Sequence, residues 1–594
     1  MAKQTKTNSK QPPKKSRDIT GTVIRIWSYL AEKKALLTFV LVLVFISVAL
    51  SLLGPYLIGY AIDEYIIPRN SDGFFRLLVF LAIVYLVNSV AIWLHNYYMI
   101  SIAQTTVYKM REHLFSHLHR LPISYFDRKQ HGELMSRLTN DMENVSRTLN
   151  SSVIQIFSSL LTLIGTVAFM IYLSPLLTLI TLTIIPLLYY GMKWITARTK
   201  KYFREQQRNL GSMNGFIEET ISGQSVVKTF SQEERMTEQF LERNEQLRKS
   251  GYWAQAYSGF IPKLMNVLNN LSFAIIALAG GILALNDLVS IGIIVTFTQY
   301  SRQFTRPLND LANQYNTLLS AVAGAERVFE VMDEEKEEVK TDLAELEDVT
   351  GNVEFDHVSF SYNHEGQTIT DISFQAKAGE TVALVGPTGA GKTTVINLLS
   401  RFYDPVAGSI TIDGQDISTV SRKSLRQHLG FVLQDPFLFE GSILENIRYG
   451  DLHASDEAVM EAAKQANAHS FIMKLPKGYD TVLSQDGGGI SQGQKQLLSI
   501  ARAILSRPKI LILDEATSSI DTITEIKIQE ALARLMEGRT SFVIAHRLNT
   551  IQQADQIIVL HEGKMIEKGT HQSLLKEKNF YYELYHGHLK NDAM

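Results

Sequence analysis

The 594 residues exceed what one hydrophobic core usually serves, so several domains are expected, and a formal net charge of −2 points to no nucleic-acid partner. Cysteine is absent, which excludes a disulfide framework and a thiolate metal site. The averages conceal two halves: repeated long apolar runs up to about Ala323, and an ordinary α/β pattern after Asp333.

In chain order, residues 1–18 carry Lys3, Lys6, Lys10, Lys14, Lys15 and Arg17 around Pro12 and Pro13. That composition cannot build a core and reads as a disordered basic tail in the cytoplasm. Ile24, Trp27 and Leu30 then sit among charges, as in a helix lying at a membrane interface. The apolar run over residues 35–61 is too long for a signal-peptide core and lacks a small-residue cleavage site. It is the first of six stretches that meet the ~20-residue criterion for membrane helices, the others being 76–102, 151–173, 176–200, 259–285 and 288–314. Short connections alternate with long Lys- and Arg-rich ones at 103–150 and 201–258, so the positive-inside rule places the long connections and both termini in the cytoplasm.

Val107, Met110, Leu114, Leu118 and Leu121 recur at three- and four-residue spacing, which predicts membrane helices prolonged into the cytoplasm. Pro122 with Ser124, Tyr125, Phe126 and Asp127, and Ser222 with Gly223 and Gln224, interrupt two such extensions. Each break is either a short transverse helix touching a soluble domain or an ordinary surface loop. A membrane domain is therefore expected over 19–330, and a solvated charged linker over 331–351. A soluble domain follows over 352–594.

The soluble part is organised around TVALVGPTGAGKTTVINL at 381–398, an apolar strand, a glycine-rich turn and a helix start. Gly386, Gly389 and Gly391 let the loop formed with Pro387, Thr388 and Ala390 wrap closely, so that backbone N–H groups and the helix's positive end meet phosphate oxygens. Lys392 would reach the β- and γ-phosphates, and the Thr393 hydroxyl, followed by Thr394, would hold Mg²⁺. Ile510 to Leu513 form an apolar strand ending in Asp514, placed to bind Mg²⁺, and Glu515, placed to orient and deprotonate water. His546 and Gln434 also follow apolar strands. His546 is either a γ-phosphate contact or an ordinary surface or core histidine, and Gln434 would sense metal or water. Tyr362 is read either as an adenine-stacking ring or as a tyrosine at a sheet edge. Ile490, Ser491, Gln492, Gly493 and Gln494 open a helix after three glycines, offering a second set of N-terminal amides.

With these residues assembled, the chain resembles the ATP-binding cassette transporters, specifically exporters with one membrane domain fused to one nucleotide-binding domain. The resemblance assigns GPTGAGKT at 386–393 to Walker A, Gln434 to the Q-loop, and ISQGQ at 490–494, with Ser491, Gly493 and Gln494, to the signature. It assigns ILILDE at 510–515 to Walker B, Ser519, Ile520 and Asp521 to the D-loop, His546 to the switch and Tyr362 to the adenine. It implies a polytopic α-helical membrane domain, six spans with long cytoplasmic extensions, fused to an α/β P-loop nucleotide-binding domain that uses ATP and Mg²⁺. It also implies two halves joined head to tail, each ATP lying between one Walker A and the opposite signature.

Two departures stand out. The family's Leu-Ser-Gly-Gly-Gln reads Ile490-Ser491-Gln492-Gly493-Gln494, and Ser484-Gln485 stands where Gly-Glu is usual. A complete Walker side with an altered signature resembles the asymmetric heterodimeric multidrug exporters of bacteria. It implies a non-identical partner with an intact signature and no carboxylate equivalent to Glu515. The expected activity is ATP-driven export of a hydrophobic or amphipathic small molecule, drugs foremost, across the cytoplasmic membrane. Lipid or peptide export and an ATP-gated regulatory or channel protein are the alternatives. Asn88, His95, Asn96, Gln299, Tyr300, Arg302, Gln303 and Phe304 either meet cargo or bond helix to helix.

Overall fold

The computed structural model describes residues 18–337, 343–362, 368–514, 520–545 and 548–592. They form two compact units, one from the residues up to His119 with His131–Glu334, the other from Arg120–Gln130 with the residues after Glu334. In chain order the helices of the first half are α1 (Ile19–Ala31), α2 (Lys34–Ala61), α3 (Phe74–Leu118), α4 (Ile123–Arg128), α5 (His131–Ser136) and α6 (Met142–Leu173). They continue with α7 (Pro175–Leu182), α8 (Ile184–Ser222), α9 (Gln224–Thr229), α10 (Glu233–Leu285) and α11 (Ile291–Met332).

Among the described residues, five helical segments are long and apolar enough to cross a membrane: Lys34–Ile66, Phe74–Leu118, His131–Leu173, Pro175–Ser222 and Glu233–Leu285. The sixth expected span lies in α11, a continuous helix of 42 residues diluted by Gln299, Arg302, Gln303 and Arg306. Its polarity is partly explained by contacts to neighbouring helices. Tyr300 donates to the Leu52 carbonyl at 2.7 Å, and Thr296 donates to the Pro55 carbonyl at 3.2 Å. Gln155 of α6 donates to Asp310 at 2.8 Å. Tyr300 is fully buried with Phe169 5.9 Å away, so this candidate cargo residue joins helices instead. Asn96 donates to Ile92 of its own helix at 2.9 Å. Phe45, Leu86, Trp93 and Leu278 remain exposed, as lipid-facing side chains would be.

Both helix breaks produce short six-residue helices, α4 after Pro122 and α9 after Gly223. On either side of α9, α8 and α10 pair as a long antiparallel hairpin: a Cβ on Gly191 would meet Leu264 at 2.7 Å, Tyr202 stacks on Tyr257 at 5.3 Å, and Asn209 donates to Ser250 at 3.1 Å.

The second unit begins earlier than sequence suggests. α11 persists through Met332, Arg426 grips the Glu337 carboxylate at 3.0 and 2.5 Å, and Leu346 and Val349 are buried in the core. The stretch expected as a solvated linker is therefore helical at its start and packed near its end, because its apolar residues find a hydrophobic surface to cover.

This unit contains β1 (Val353–Phe360), β2 (Ile369–Ala376), β3 (Thr381–Val385), α12 (Lys392–Leu399), β4 (Ala407–Ile412), β5 (Gln415–Asp416), α13 (Arg422–Gln427) and β6 (Leu429–Val432). Next come β7 (Gly441–Ser442), α14 (Ile443–Arg448), α15 (Asp456–Gln465), α16 (His469–Ile472), β8 (Val482–Leu483), α17 (Gln492–Leu505), β9 (Ile510–Asp514) and α18 (Thr522–Met536). Last are β10 (Thr540–Ile544), α19 (Leu548–Gln553), β11 (Gln556–His561), β12 (Lys564–Gly569), α20 (His571–Glu577) and α21 (Phe580–Asp592). The central sheet runs β12-β11-β3-β10-β9-β6, with β11, β3, β10, β9 and β6 parallel and β12 antiparallel at one edge. β3, β10 and β9 are almost wholly buried because both faces pack into hydrophobic core. A second, antiparallel sheet, β2-β1-β4-β5, packs into the same core.

A phosphate cradle where the parallel strands end

The register of the central sheet determines what can meet. Leu384 of β3 lies beside Ile544 of β10, which lies beside Asp514 of β9; Leu513 in turn lies beside Val432 of β6. The loops carrying Gly386, Asp514 and Gln434, and the chain leaving β10 at Ala545, therefore leave one sheet edge at one level. Ligands of open α/β sheets bind outside the carboxyl ends of such strands.

The loop from β3 to α12 is shaped by glycine. Gly386, Gly389 and Gly391 have φ of 155°, 82° and 103°, and a Cβ on Gly386 would lie 2.2 Å from the Leu560 carbonyl oxygen. Neither the backbone turn nor that approach tolerates a side chain. Pro387, Thr388 and Gly389 stand exposed, while Ala390 is buried and braced on both sides, its N–H donating to Pro387 and its carbonyl accepting from Gly563.

Lys392 opens α12 with its side chain turned back over the loop, Nζ donating to the carbonyls of Gly386 at 2.8 Å and Pro387 at 3.0 Å. Burial pushes the ammonium below its ordinary pKa, and the nearby Asp514 carboxylate opposes that shift. A desolvated cation at a helix N-terminus is poised for a polyanion. Thr393 is exposed beside it, whereas Thr394 is buried and accepts from the Tyr362 hydroxyl at 3.2 Å. Thr393 and Asp514 offer two protein oxygens, too few for a cation held by protein alone but suited to Mg²⁺ that completes its shell with phosphate and water. Among the described residues no group of three His, Asp or Glu could hold a metal. The cradle thus fits nucleotide with Mg²⁺ better than a dedicated metal site.

Tyr362 also accepts from Asn397 Nδ2 at 3.1 Å and meets Tyr403 edge to face at 4.9 Å. Tyr403 donates to Asp127 of α4 at 2.6 Å. A soluble-domain contact at the Pro122 break is among the sequence expectations, but Tyr403 as its partner is not, since nothing around Tyr403 marks it.

At the other site, Ser491 caps α17. Its Oγ accepts from the Gln494 N–H at 3.3 Å while Gln494 Oε1 accepts from the Ser491 N–H at 2.9 Å, a reciprocal capping box. Gln494, expected to bind nucleotide, is thereby engaged in its own helix cap. Gly493 is buried, and a Cβ there would lie 2.5 Å from Thr524 and 3.0 Å from Ile520. Asp521 caps α18 by accepting from the Thr524 N–H at 3.0 Å, which holds its carboxyl below the usual range. Gln434 is exposed beyond β6. Glu515, Ser519 and His546 lie outside the described residues.

A glycine cradle, a buried lysine and an acidic strand end define a P-loop nucleotide-binding domain, here carried by a chain with membrane-length helices. The chain matches the ABC transporter transmembrane region over residues 37–308 and the ABC transporter domain over 369–518. It is 61% identical to an uncharacterized ABC transporter ATP-binding protein, YfiC, of Bacillus subtilis (strain 168), over 96% of this chain and 95% of that one. It is 40% identical to a fatty acid ABC transporter ATP-binding/permease protein of Mycobacterium bovis, over 97% and 98% of the two chains. It is 36% identical to an ATP-dependent lipid A-core flippase of Syntrophus aciditrophicus, over 93% and 92%. The chain belongs to the ABC transporters, as a half-transporter whose membrane region is fused to an ATPase that drives export.

Proposed function

We propose that this chain exports a lipid-like amphiphile, a fatty acid or lipid rather than a drug, from the cytoplasmic membrane as one half of a heterodimer. The observation that carries the ATP-driven part is the cradle of Gly386, Gly389, Gly391 and the buried Lys392, level with Asp514. Mg²⁺ bound with ATP supplies neutralisation of the β- and γ-phosphate oxygens. Lys392 would hold those phosphates, Thr393 and Asp514 would hold the metal, Gln434 would sense it, and Glu515 would take the proton of the attacking water. His546 would contact the γ-phosphate, and Tyr362, bonded here to Thr394 and Asn397, would have to release them to pack on adenine. Closure of two nucleotide domains around ATP would move α4, to which Tyr403 is bonded. Such closure drives transport only if ATP favours one membrane conformation over the other.

The substrate class follows the relatives named for fatty acid and lipid A, and one surface supports it. On α8, residues 193–204 hold Lys193, Arg198, Lys200, Lys201 and Arg204 with no carboxylate, and Lys263 joins them on α10 opposite. Exposed Tyr190, Trp194 and Trp253 lie alongside, with Arg198 4.7 Å over the Trp194 ring. Cations and amphipathic rings at the end of a span suit an anionic headgroup at the inner leaflet.

The altered signature supports a non-identical partner. The test is reconstitution in lipid vesicles, alone and with the product of the neighbouring gene, measuring ATP turnover and movement of a fluorescent fatty acid. Turnover stimulated by fatty acid, needing the neighbour and lost in Glu515→Gln, is the expected result. Full turnover by the chain alone would overturn the heterodimer, and stimulation by cationic drugs but not fatty acid would overturn the substrate class.

A further inference from the structure

We propose that Asp435 is a positioning residue for the signature: it holds the Gln492 side chain clear of the α17 N-terminus, so that the substituted signature still binds nucleotide. The proposal rests on residues 490–494 being the surface that meets the opposite chain's ATP.

The first amides of α17, those of Gln492 and Gly493, have no acceptor within the helix. The capping box consumes the third, at Gln494, and fixes Ser491, so these two amides and the Ser491 hydroxyl form the surface available to a phosphate. Gly493 has no room for a side chain because Thr524 and Ile520 fill the space, so of the two residues with free amides only Gln492 carries a side chain. A glutamine there has a reach that lets it fold over its own helix terminus, where its carbonyl oxygen would cap the free amides and exclude the anion.

In this structure it does not. Gln492 Nε2 donates to Asp435 Oδ1 at 3.1 Å, drawing the side chain towards the segment after β6. That segment is fastened to α17 independently of Gln492: Gln496 donates to the Leu433 carbonyl at 3.4 Å, and Arg502 donates to the Phe437 carbonyl at 3.1 Å. Asp435 therefore stands between two anchored backbone positions, at a fixed distance from the helix terminus, and the Gln492 bond forms without ordering a free loop. The pairing also helps in the opposite sense. The Gln492 amide occupies a lone pair of a carboxylate that would otherwise face an approaching phosphate. Asp435 and Gln492 are thus a matched pair: either alone obstructs the anion, and together they leave the amides open.

The experiment uses the full complex with the neighbour's product in lipid nanodiscs, carrying Glu515→Gln, irradiated on ice with a photoreactive azido-ATP and Mg²⁺. Labelling of the neighbour's band reports the site built on this chain's signature, while labelling of this chain's own band reports the other site and serves as the folding control. Asp435→Ala is expected to lower the neighbour's labelling about five- to tenfold, the weight of one ordinary exposed hydrogen bond, and to spare this chain's band. Asp435→Ala with Gln492→Gly is expected to return it to within about twofold, a rescue that loss of structure would not permit. Unchanged labelling in Asp435→Ala, or a double variant as weak as the single one, would overturn the proposal. Should the chain pair with itself instead, its single band would fall in Asp435→Ala and recover in the double variant, upholding the role of Asp435 while rejecting the heterodimer.

Discussion

The two ends of the ATPase domain handle an anion in different ways. At the Walker end the backbone itself is bent, with three glycines at positive φ and Lys392 folded over the loop. At the signature end the backbone is an ordinary helix start, and what decides access is the direction of one side chain, Gln492. A site made of backbone shape is robust to its surroundings, whereas a site made by holding a side chain aside depends on a second residue.

Changes at the Walker end should be the more severe. Lys392→Ala is expected to lower turnover and azido-ATP labelling of this chain by about 100-fold or more, whereas Glu515→Gln should lower turnover by about 100-fold or more and preserve labelling. If Lys392→Ala retained labelling, the buried ammonium would not be the phosphate clamp.

Smaller effects separate stability from access at the signature end. Gly493→Ala forces a methyl against Thr524 and Ile520 and should cost about 1–3 kcal/mol, read as a lowered unfolding temperature of the full chain in detergent. Gln492→Gly should shift that temperature less, because the half-buried side chain it removes makes one hydrogen bond and the substitution forces no overlap. A reversed order would break the distinction between the packed and the movable position.

Asp413 lies at neither end and tests whether general weakening mimics the effects above. Burial would raise its pKa, but hydrogen bonds from Thr350, Asn352 and Gly351 outweigh burial and hold it at about 2. Because its folded value is depressed, its stabilisation is present above the ordinary carboxylate range and fades as pH falls towards 2. Asp413→Ala should cost about 1 kcal/mol near neutrality, discounted for solvent exposure, and the deficit in unfolding temperature should shrink with acidification. A deficit that grows on acidification would reverse that assignment.

The smallest expected effect is at Tyr403→Phe, which keeps the ring against Tyr362 but removes the bond to Asp127, a loss of about 0.5–1 kcal/mol. Nucleotide labelling should be preserved, and stimulation of turnover by fatty acid should fall.

Much of this was legible in the chain. The long apolar helices, the breaks at Pro122 and Gly223 and the Walker loop all follow from neighbours within a few residues, since apolar periodicity and glycine spacing act locally. The polarity of α11 obscured its role, because Tyr300 and Thr296 are satisfied by carbonyls of α2 that no local pattern announces. Leu346 and Val349 were hidden for a similar reason: a few apolar residues after a charge run look like linker until a core is there to receive them.

By itself, then, the amino-acid order determined a phosphate loop, membrane-length helices and an ATPase domain, because each is encoded by residues adjacent in the chain. Only the tertiary structure decided that Gln492 turns to Asp435, that Tyr403 bonds to α4 and that Tyr300 binds helix to helix. Those pairs are separated by 57, 276 and 248 residues, and such contacts depend on where folding brings distant surfaces together.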